Sequence, residues 1–356
     1  MLYKEMQHFK QLLLPIQIIY FIIIWIRNIL YDFKILPVYT ENVFIISVGN
    51  IKNGGTGKTP MVEYIINIFN QTNIAVLSRG YRRKTSGFIL AKDYHTAKEL
   101  GDESYQLYKK FKNTIIACDN NRVNGVRNLI KVSKKLQTII LDDGFQHRKI
   151  NRDIDILLTE YDHLFSNDKL MPIGQLREYK HASKRADIIV ITKCPKNISP
   201  EKINNISRQI QPTQNQKIYF SYIKKNIFRD TQSQNIVSLK KEEKHILVTG
   251  IANPQKILSF LEKTQIKFQH INFTDHYDFS KNDITNIIKL KTKMQLSNNL
   301  ILTEKDFYRL TKNNRKLLEK HFNLITIELE IDFIERDKSN FKNQMLKFEE
   351  SKNEFI

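Results

Sequence analysis

The stretch from Ser47 to Pro60 most constrains how this chain can fold, because it joins an apolar run to an amphipathic run through a glycine-rich turn. The stretch itself is SVGNIKNGGTGKTP, and the segment that follows is MVEYIINIF. In such a turn, backbone N–H groups and a helix N-terminus converge on an anion, so the pattern predicts a phosphate-binding loop between a strand and a helix. The strict spacing G-x-x-x-x-G-K-[ST] has glycine where this chain has Lys52. The alternative to a phosphate-binding loop is a glycine-rich turn that is followed by Lys-Thr by chance.

The residues of the loop predict a nucleotide ligand. Glycine lets phosphate approach the backbone closely, Lys58 can reach the β- and γ-phosphates, and the hydroxyl of Thr59 can bind Mg²⁺. Pro60 suits the first turn of the following helix, where its missing N–H costs little. We therefore expect ATP and Mg²⁺ as ligands, with the nucleotide bound by Asn53, Gly54, Gly55, Thr56, Gly57, Lys58, Thr59 and Pro60.

Two pairs of adjacent acids are candidates for organising Mg²⁺ or for acid–base chemistry. Asp142 and Asp143 end the apolar run TIILDD, and the end of a strand at the carboxyl edge of a sheet is a rigid support for such acids. An acidic exit from a strand into a turn is the alternative for this segment alone. Asp102 and Glu103 lie in GDES, where a helix N-cap with a favourable first-turn acid is the simpler local interpretation.

The pattern of apolar runs predicts the fold class. From residue 37 to residue 200 continuous apolar runs alternate with helical patterns, which is typical of a parallel sheet with helices on both faces. With the loop, this predicts an α/β, P-loop NTPase-like domain over 37–200. A second series predicts a smaller C-terminal α/β lobe over 245–356, which ends in a charged surface helix. The polar residues 201–244 are predicted to be a segment connecting the two lobes.

An apolar segment precedes the loop. Residues 12 to 30, LLLPIQIIYFIIIWIRNIL, are close to the length that crosses a bilayer, although a buried helix of a soluble domain is the alternative. We favour a membrane-associating helix within 1–36, because the part from Ile18 to Ile26 is apolar all round and Trp25 and Tyr31 suit the membrane interface. No small-x-small cleavage site follows, so the segment is not predicted to be a signal peptide. Whether it spans the bilayer or lies in the interface stays open.

The charge of the chain bears on its partners. It has 57 Lys and Arg residues against 37 Asp and Glu, a formal net charge of +20. This balance favours an anionic partner, namely nucleic acid, an anionic membrane or a phosphorylated substrate, although compositional drift explains it equally well. The basic residues are scattered, with no run of five like charges, which argues against nucleic acid. In one basic segment, SRGYRR, Arg79 could contact phosphate or lie in a solvated turn.

Taken in order along the chain, these segments and several others resemble one family, the tetraacyldisaccharide 4'-kinases of lipid A biosynthesis, or LpxK. Over roughly residues 40 to 310, the similar segments are VGNIKNGGTGKTP, LSRGYRRK, GDE, LDDGFQHRKINRDIDILL, PIGQLRE, ADIIVITK, VTGIANP, DHYDF and LTEKD. The combination of GNxxxGGTGKTP with DDGFQHR is specific to that family. Its loop also lacks the first glycine, so Lys52 fits the family pattern.

The resemblance implies a reaction and a location. The γ-phosphoryl group of ATP would pass to the 4'-hydroxyl of an acylated glucosamine disaccharide 1-phosphate, giving lipid IVA, on the cytoplasmic face of the bacterial inner membrane. No nucleic acid and no obligate protein partner are expected. The family roles at matching positions make Lys58 catalytic, Asp102 and His276 the base pair, Thr59, Glu103, Asp142 and Asp143 the Mg²⁺ centre, and Arg79, Gln146 and Arg177 residues of the substrate cleft.

Two other classes of protein stay open on the sequence alone. A deviant-loop ATPase or GTPase that regulates a protein partner at the membrane would explain GGTGKT but not DDGFQHR or the apolar segment. A non-catalytic nucleotide sensor at the membrane would bind ATP without turnover on any lipid. The segment TEKD, Thr303 to Asp306, belongs to the family pattern but has no role that the sequence assigns.

Overall fold

The computed structural model describes residues 13–69 and 73–353, so the first 12 residues of the predicted segment 1–36 lie outside it. The helices in these ranges are α1 Leu14–Asp32, α2 Lys58–Ile68, α3 Ala97–Leu100, α4 Asp102–Lys110, α5 Arg122–Val132, α6 Pro200–Ile210, α7 Gln255–Lys263, α8 Lys281–Met294, α9 Glu304–Arg309, α10 Lys312–Glu319 and α11 Glu335–Asn353. The strands are β1 Phe44–Gly49, β2 Ile74–Ser78, β3 Ile89–Leu90, β4 Ile115–Cys118, β5 Thr138–Asp142, β6 Ile154–Glu160, β7 Ile188–Cys194, β8 Lys217–Asp230, β9 His245–Thr249, β10 Phe268–Asn272, β11 Asn299–Thr303 and β12 Asn323–Phe333.

These strands form one twelve-stranded sheet in the order β10–β9–β11–β12–β8–β7–β6–β1–β5–β2–β4–β3. Neighbouring strands are parallel except for the pairs β12–β8 and β3–β4, which are antiparallel. Parallel strands need crossover connections, and the helices that make these crossovers cover the faces of the sheet. The predicted mostly parallel α/β sheet is therefore present.

Successive residues of one strand show that both faces of the sheet are covered. On β5, Ile140 packs into a core with Met61 of α2, whereas Ile139 packs into a separate core with Val126 of α5. Because side chains alternate across a strand, a strand buried on both faces appears in sequence as a continuous apolar run. This is why runs such as TIIL predicted a doubly covered sheet.

The register of the central strands positions the glycine-rich loop beside Asp142 and Asp143. β1 is parallel to β5, and Val48 lies opposite Asp142. Since parallel strands end at the same edge, the turn after β1 and the acids that end β5 meet there. The two segments approach closely, because a Cβ atom at Gly49 would lie 2.6 Å from the Cβ of Phe145.

The segment 201–244, predicted to connect two lobes, contains most of α6 and all of β8. β8 is parallel to β7 on one side and antiparallel to β12 on the other, so it joins the two series of strands into one sheet. The predicted charged tail is α11, whose Phe341 and Met345 are buried in the core beneath β1 and α2. α11 therefore packs on the first half of the molecule as well as on β12, where its Phe341 stacks on Phe333 with 4.3 Å between the ring centroids. The domain boundaries stay a prediction.

The apolar N-terminal segment forms α1, which is long and apolar enough to cross a membrane. It has a polar side as well, which the sequence analysis missed between Ile18 and Ile26. Tyr20 donates to the carbonyl of Arg177 at 2.7 Å, and Arg27 donates to the carbonyl of Gln146 at 2.7 Å. The opposite side of α1 is an exposed row of apolar side chains that includes Ile16, Ile19, Ile22, Ile23 and Ile26.

Candidate active site

The glycine-rich loop follows β1 and is held from beneath. The buried Asn50 side chain donates to the hydroxyl of Thr56 at 2.8 Å, and the hydroxyl of Thr192 donates to the carbonyl of Thr56 at 2.9 Å. Gly54 and Gly57 have φ of +114° and +90°, a region that favours glycine. Lys52, which replaces the first glycine of the strict spacing, pairs with Asp168 at 2.9 Å.

The start of α2 is arranged as an anion site. α2 begins at Lys58, and no side chain of the described residues caps its N-terminus. Its first N–H groups and the positive end of its dipole are therefore available to phosphate. Side chains added at Gly54 or Gly55 would meet nothing within 4 Å, so the loop faces open space. Lys58 lies at this mouth, with its Nζ 3.6 Å from Oδ1 of Asp143.

The adjacent acids Asp142 and Asp143 lie in different environments. Asp142 is buried, its Oδ1 has no hydrogen-bond partner, and burial together with the charge of Asp143 raises its pKa to about 6. Both oxygens of Asp143 accept from Arg177, at 2.8 and 2.9 Å. Burial alone would raise the pKa of Asp143, but Arg177 and Lys58 lower it well below its ordinary value. Asp142 is thus the member of the pair with an oxygen available for a cation.

The predicted substrate residues Gln146 and Arg177 support the loop. Both donate to the carbonyl of Asn50 at 2.8 Å, directly before the loop begins. The exposed Arg79 directly follows β2, which is parallel to β5, so it lies at this edge of the sheet, and its charge is one of the lesser causes that lower the pKa of His147. Burial is the larger cause and brings the pKa of His147 to about 3, so this histidine is neutral at physiological pH.

The acids Asp102 and Glu103 begin α4, and the second lobe contacts both. Nδ1 of His276 lies 2.7 Å from Oδ2 of Asp102, which joins two residues far apart in sequence. Burial alone would raise the pKa of Asp102, but the bond from His276 and the charge of Arg309 hold it below its ordinary value. Lys305 donates to Glu103 at 2.6 Å and lowers the pKa of that carboxyl against the effect of burial.

The backbone at His276 is strained in a way that suits a functional position. Its φ is +61°, which costs a non-glycine residue about 1–3 kcal/mol. Its N–H donates to the carbonyl of Gly250 at 3.1 Å, which fixes the turn that carries the ring. The ring also lies against Tyr81, with 5.5 Å between the centroids. A lone histidine in a sequence does not reveal this geometry.

The two acidic pairs belong to one site. Gly101, directly before α4, lies against the turn that follows β2, where an added Cβ would be 2.9 Å from the carbonyl of Tyr81. Because β2 is parallel to β5, the start of α4 and the acids that end β5 lie at the same edge of the sheet. The predicted loop, acids and histidine therefore come together, although no group of three or more His, Cys, Asp or Glu side chains suited to a metal is found within 13–69 and 73–353. A cation here would need ligands from a bound phosphate as well.

The sequence analysis missed Arg309 and assigned no role to Lys305, which lies in the segment TEKD. Both lie on the short helix α9, four residues apart, which places them on one face of that helix. Two like charges at this spacing directly after a buried strand are unfavourable unless acids lie opposite. The spacing of the two basic residues was therefore the sequence signal that they have acidic partners elsewhere in the fold.

A family model described as "Tetraacyldisaccharide-1-P 4'-kinase", LpxK, matches residues 9–349. The chain belongs to this family. A tetraacyldisaccharide 4'-kinase of Flavobacterium psychrophilum is 39% identical over 351 residues, covering 97% of this chain and 98% of that protein. One of Flavobacterium johnsoniae is 40% identical over 303 residues, covering 85% and 87%.

The fold of the LpxK family is also found in a solved structure. LpxK from Aquifex aeolicus, crystallised in complex with ATP, is 26% identical, covers 96% of this chain and 99% of its own, and superposes with a TM-score of 0.75. The predicted family and the predicted α/β fold class are confirmed.

Proposed function

We propose that the protein is an ATP-dependent kinase that phosphorylates the 4'-hydroxyl of a tetraacyldisaccharide 1-phosphate, forming lipid IVA in lipid A biosynthesis. The names of its relatives support this activity. The observation that carries the proposal is the 2.7 Å contact between His276 and Asp102 beside an uncapped phosphate-binding helix. A nucleotide sensor needs no such base, and a regulatory ATPase or GTPase does not account for the family and the names of the relatives, so neither rival is favoured.

The nucleotide is proposed to bind at residues 53–60. Its phosphates would accept from the N–H groups of the loop and of the first turn of α2. Lys58 would leave Asp143 and turn to the γ-phosphoryl group, where its charge opposes the charge that develops during transfer.

Mg²⁺ is proposed to bind between these phosphates and the end of β5. The unpartnered Oδ1 of Asp142 fits this use, and Thr59 lies in the first turn of α2, where its hydroxyl suits the same ion. Asp143 and Glu103 stay candidates, although Arg177 and Lys305 bind them here. The ion would neutralise charge on the phosphates.

Asp102 is proposed to act as the general base. The oxygen of the 4'-hydroxyl attacks the γ-phosphorus, its proton passes to Asp102, and the bond to the bridging oxygen breaks so that ADP leaves. His276 orients the carboxylate through Oδ2. A positioned base of this kind contributes about 10²–10⁴-fold in rate.

We propose that α1 lies in the membrane interface on the cytoplasmic side, where ATP is available. Its polar side is bound to the body at several points along its length, which leaves the apolar side free to enter lipid. A helix tied to the body in this way is not free to cross the bilayer. The net charge of +20 favours an anionic lipid surface.

The kinase proposal is tested by incubating the full chain with γ-labelled ATP, Mg²⁺ and the acylated disaccharide 1-phosphate, then separating the lipids by chromatography. Label in a lipid product is the expected result. Lys58→Ala should slow its formation on the order of 10²–10³-fold. ATP binding with no labelled lipid would refute the proposal.

The membrane proposal is tested by sedimentation with vesicles that contain phosphatidylglycerol. Ile19→Asn/Ile23→Asn/Ile26→Asn should leave most of the protein in the supernatant, because each isoleucine buried in lipid is worth about 1.5–3 kcal/mol. Ile236→Asn, which changes an exposed isoleucine between β8 and β9, is the control and should bind like wild type. Equal sedimentation of all three proteins would refute insertion of α1.

A further inference from the structure

We propose that Arg309 is a positioning residue for phosphoryl transfer, which holds Asp102 in place from the opposite lobe. This rests on the function proposed above. Arg309 ends the short helix α9, and its side chain is only 3% exposed. Its Nε donates to Oδ2 of Asp102 at 2.7 Å. The carboxylate of Asp102 must point at the hydroxyl whose proton it takes. A buried arginine bonded to that carboxylate restrains its position.

The guanidinium is itself fixed from behind. Its Nη1 donates to the carbonyl of Gly250 at 2.7 Å and to Oδ1 of Asp306 at 3.0 Å. Asp306 is fully buried, and its Oδ2 accepts from the N–H of Gly250 at 3.1 Å and from the hydroxyl of Thr303 at 2.6 Å. The arginine therefore cannot follow a moving Asp102; it sets where that carboxylate lies.

The same arginine is linked to both members of the base pair. The carbonyl of Gly250 accepts from Arg309 and also from the N–H of His276. Arg309 thus holds the side chain of Asp102 and shares an anchor with the backbone that carries the histidine. His276 and Arg309 both contact Oδ2, and neither of these bonds engages Oδ1. We assign Oδ1 to the proton of the 4'-hydroxyl.

Charges along α4 and α9 fix how the two helices meet. The pairs that cross between them are Asp102 with Arg309, Glu103 with Lys305, and Lys110 with Glu304. The two acids at the start of α4 face the bases of α9, and the lysine at its end faces the glutamate that begins α9. A shift of α9 by one turn would bring like charges together, so the arrangement that places Arg309 on Asp102 is the favoured one.

The test is a double-mutant cycle in the full-length enzyme, with kcat and KM measured for ATP and the acylated disaccharide 1-phosphate. Arg309→Gln should lower kcat on the order of 10²-fold, the cost of misplacing a reacting group by about 1 Å, with little change in KM for ATP. Arg309→Lys restores the charge but not the three simultaneous bonds, so it should recover only part of kcat. In an Asp102→Asn background, Arg309→Gln should have no further effect, because the residue acts through Asp102.

Arg315→Gln is the matched control. Arg315 also contacts α9, through the ring and carbonyl of Phe307, but it does not contact Asp102. It should keep kcat near the wild-type value. The proposal is overturned if Arg315→Gln loses as much activity as Arg309→Gln, or if Arg309→Gln slows the Asp102→Asn enzyme as much as it slows wild type.

A wild-type enzyme that labels no lipid would refute the proposed function separately. The Tm values of wild type, Arg309→Gln, Asp102→Asn and the double mutant then still test the contact, because measuring Tm needs no turnover. The double mutant should be less destabilised than the sum of the single mutants, as expected for residues in contact. Additive shifts would overturn the inference.

Discussion

The two pairs of adjacent acids in this molecule are alike in sequence and differ in what surrounds them. Asp102 and Glu103 are each bound by a cation from the other lobe, and the pKa of each is lowered. Of Asp142 and Asp143, only the second has its carboxylate bound by an arginine. The first keeps an unpartnered Oδ1 and a raised pKa, and Arg122 donates to its backbone carbonyl.

This difference indicates that Asp102 and Glu103 already have cationic partners, whereas Asp142 has an oxygen to which a cation can still bind. A carboxylate that already has its cations can be aimed and kept charged, which suits a base. A buried carboxyl without a partner is unstable as an anion until a cation arrives, which suits a metal ligand. Sequence position alone does not separate the two uses.

The largest expected effect comes from breaking the completed pair. Asp102→Ala should lower kcat on the order of 10²–10⁴-fold and leave ATP affinity near wild type. His276→Ala should have a similar effect, and the double mutant should be little worse than the poorer single mutant, because residues that act as a unit are non-additive. Steady-state kinetics of the three variants measure this. A double-mutant loss equal to the product of the single losses would mean that the two act independently.

The next effect tests the incomplete pair. Asp142→Asn should reduce turnover on the order of 10²–10³-fold and raise the Mg²⁺ concentration needed for half-maximal rate. Asp143→Asn is the matched neighbour, and its main effect should be on the loop, because it releases Arg177. Mg²⁺ titrations of both variants decide between them. If the two shift the Mg²⁺ requirement equally, the distinction drawn between the two acids is wrong.

The smallest effect concerns a third acidic group, which is buried but lies outside the site. Glu63, Glu304 and Glu328 surround Nζ of Lys110 at 2.8, 3.4 and 3.7 Å, and Arg229 also pairs with Glu328. Three carboxyls face two cations, so one proton balances the cluster. Burial, with the charge of Glu63, raises the pKa of Glu304 to about 8.

The sign of the resulting pH dependence follows from linkage. Between the ordinary pKa of glutamate and about 8, the folded chain keeps a proton on Glu304 that the unfolded chain has lost, so the free energy of unfolding falls as pH rises. Glu304→Gln should flatten this fall between pH 5 and 8 by on the order of 1 kcal/mol, measured by urea denaturation. Glu330→Gln is the control, because the pKa of that glutamate is lowered and it stays ionised across this range. An unchanged pH profile for Glu304→Gln would contradict the prediction.

The sequence predicted those parts of the site that depend on local pattern. Loop, strand and following helix are contiguous, and the acids that end β5 lie at the same sheet edge by the geometry of parallel strands. Arg309 and Lys305 could not be assigned, because their partners lie in the other lobe and α9 has only six residues. The polar side of α1 was missed for the same reason, since the partner of Tyr20 is a distant carbonyl.

Helix α11 also affects the order in which the molecule is packed during its synthesis. Phe341 and Met345 of α11 pack in the core beneath β1 and α2, so that core lacks two of its buried side chains until α11 has left the ribosome. The N-terminal half is made first and carries the exposed apolar row of α1. If α1 enters lipid as proposed, an emerging chain would present its lipid-binding row before the half that carries the phosphate loop is fully packed, and folding would then finish at the membrane surface.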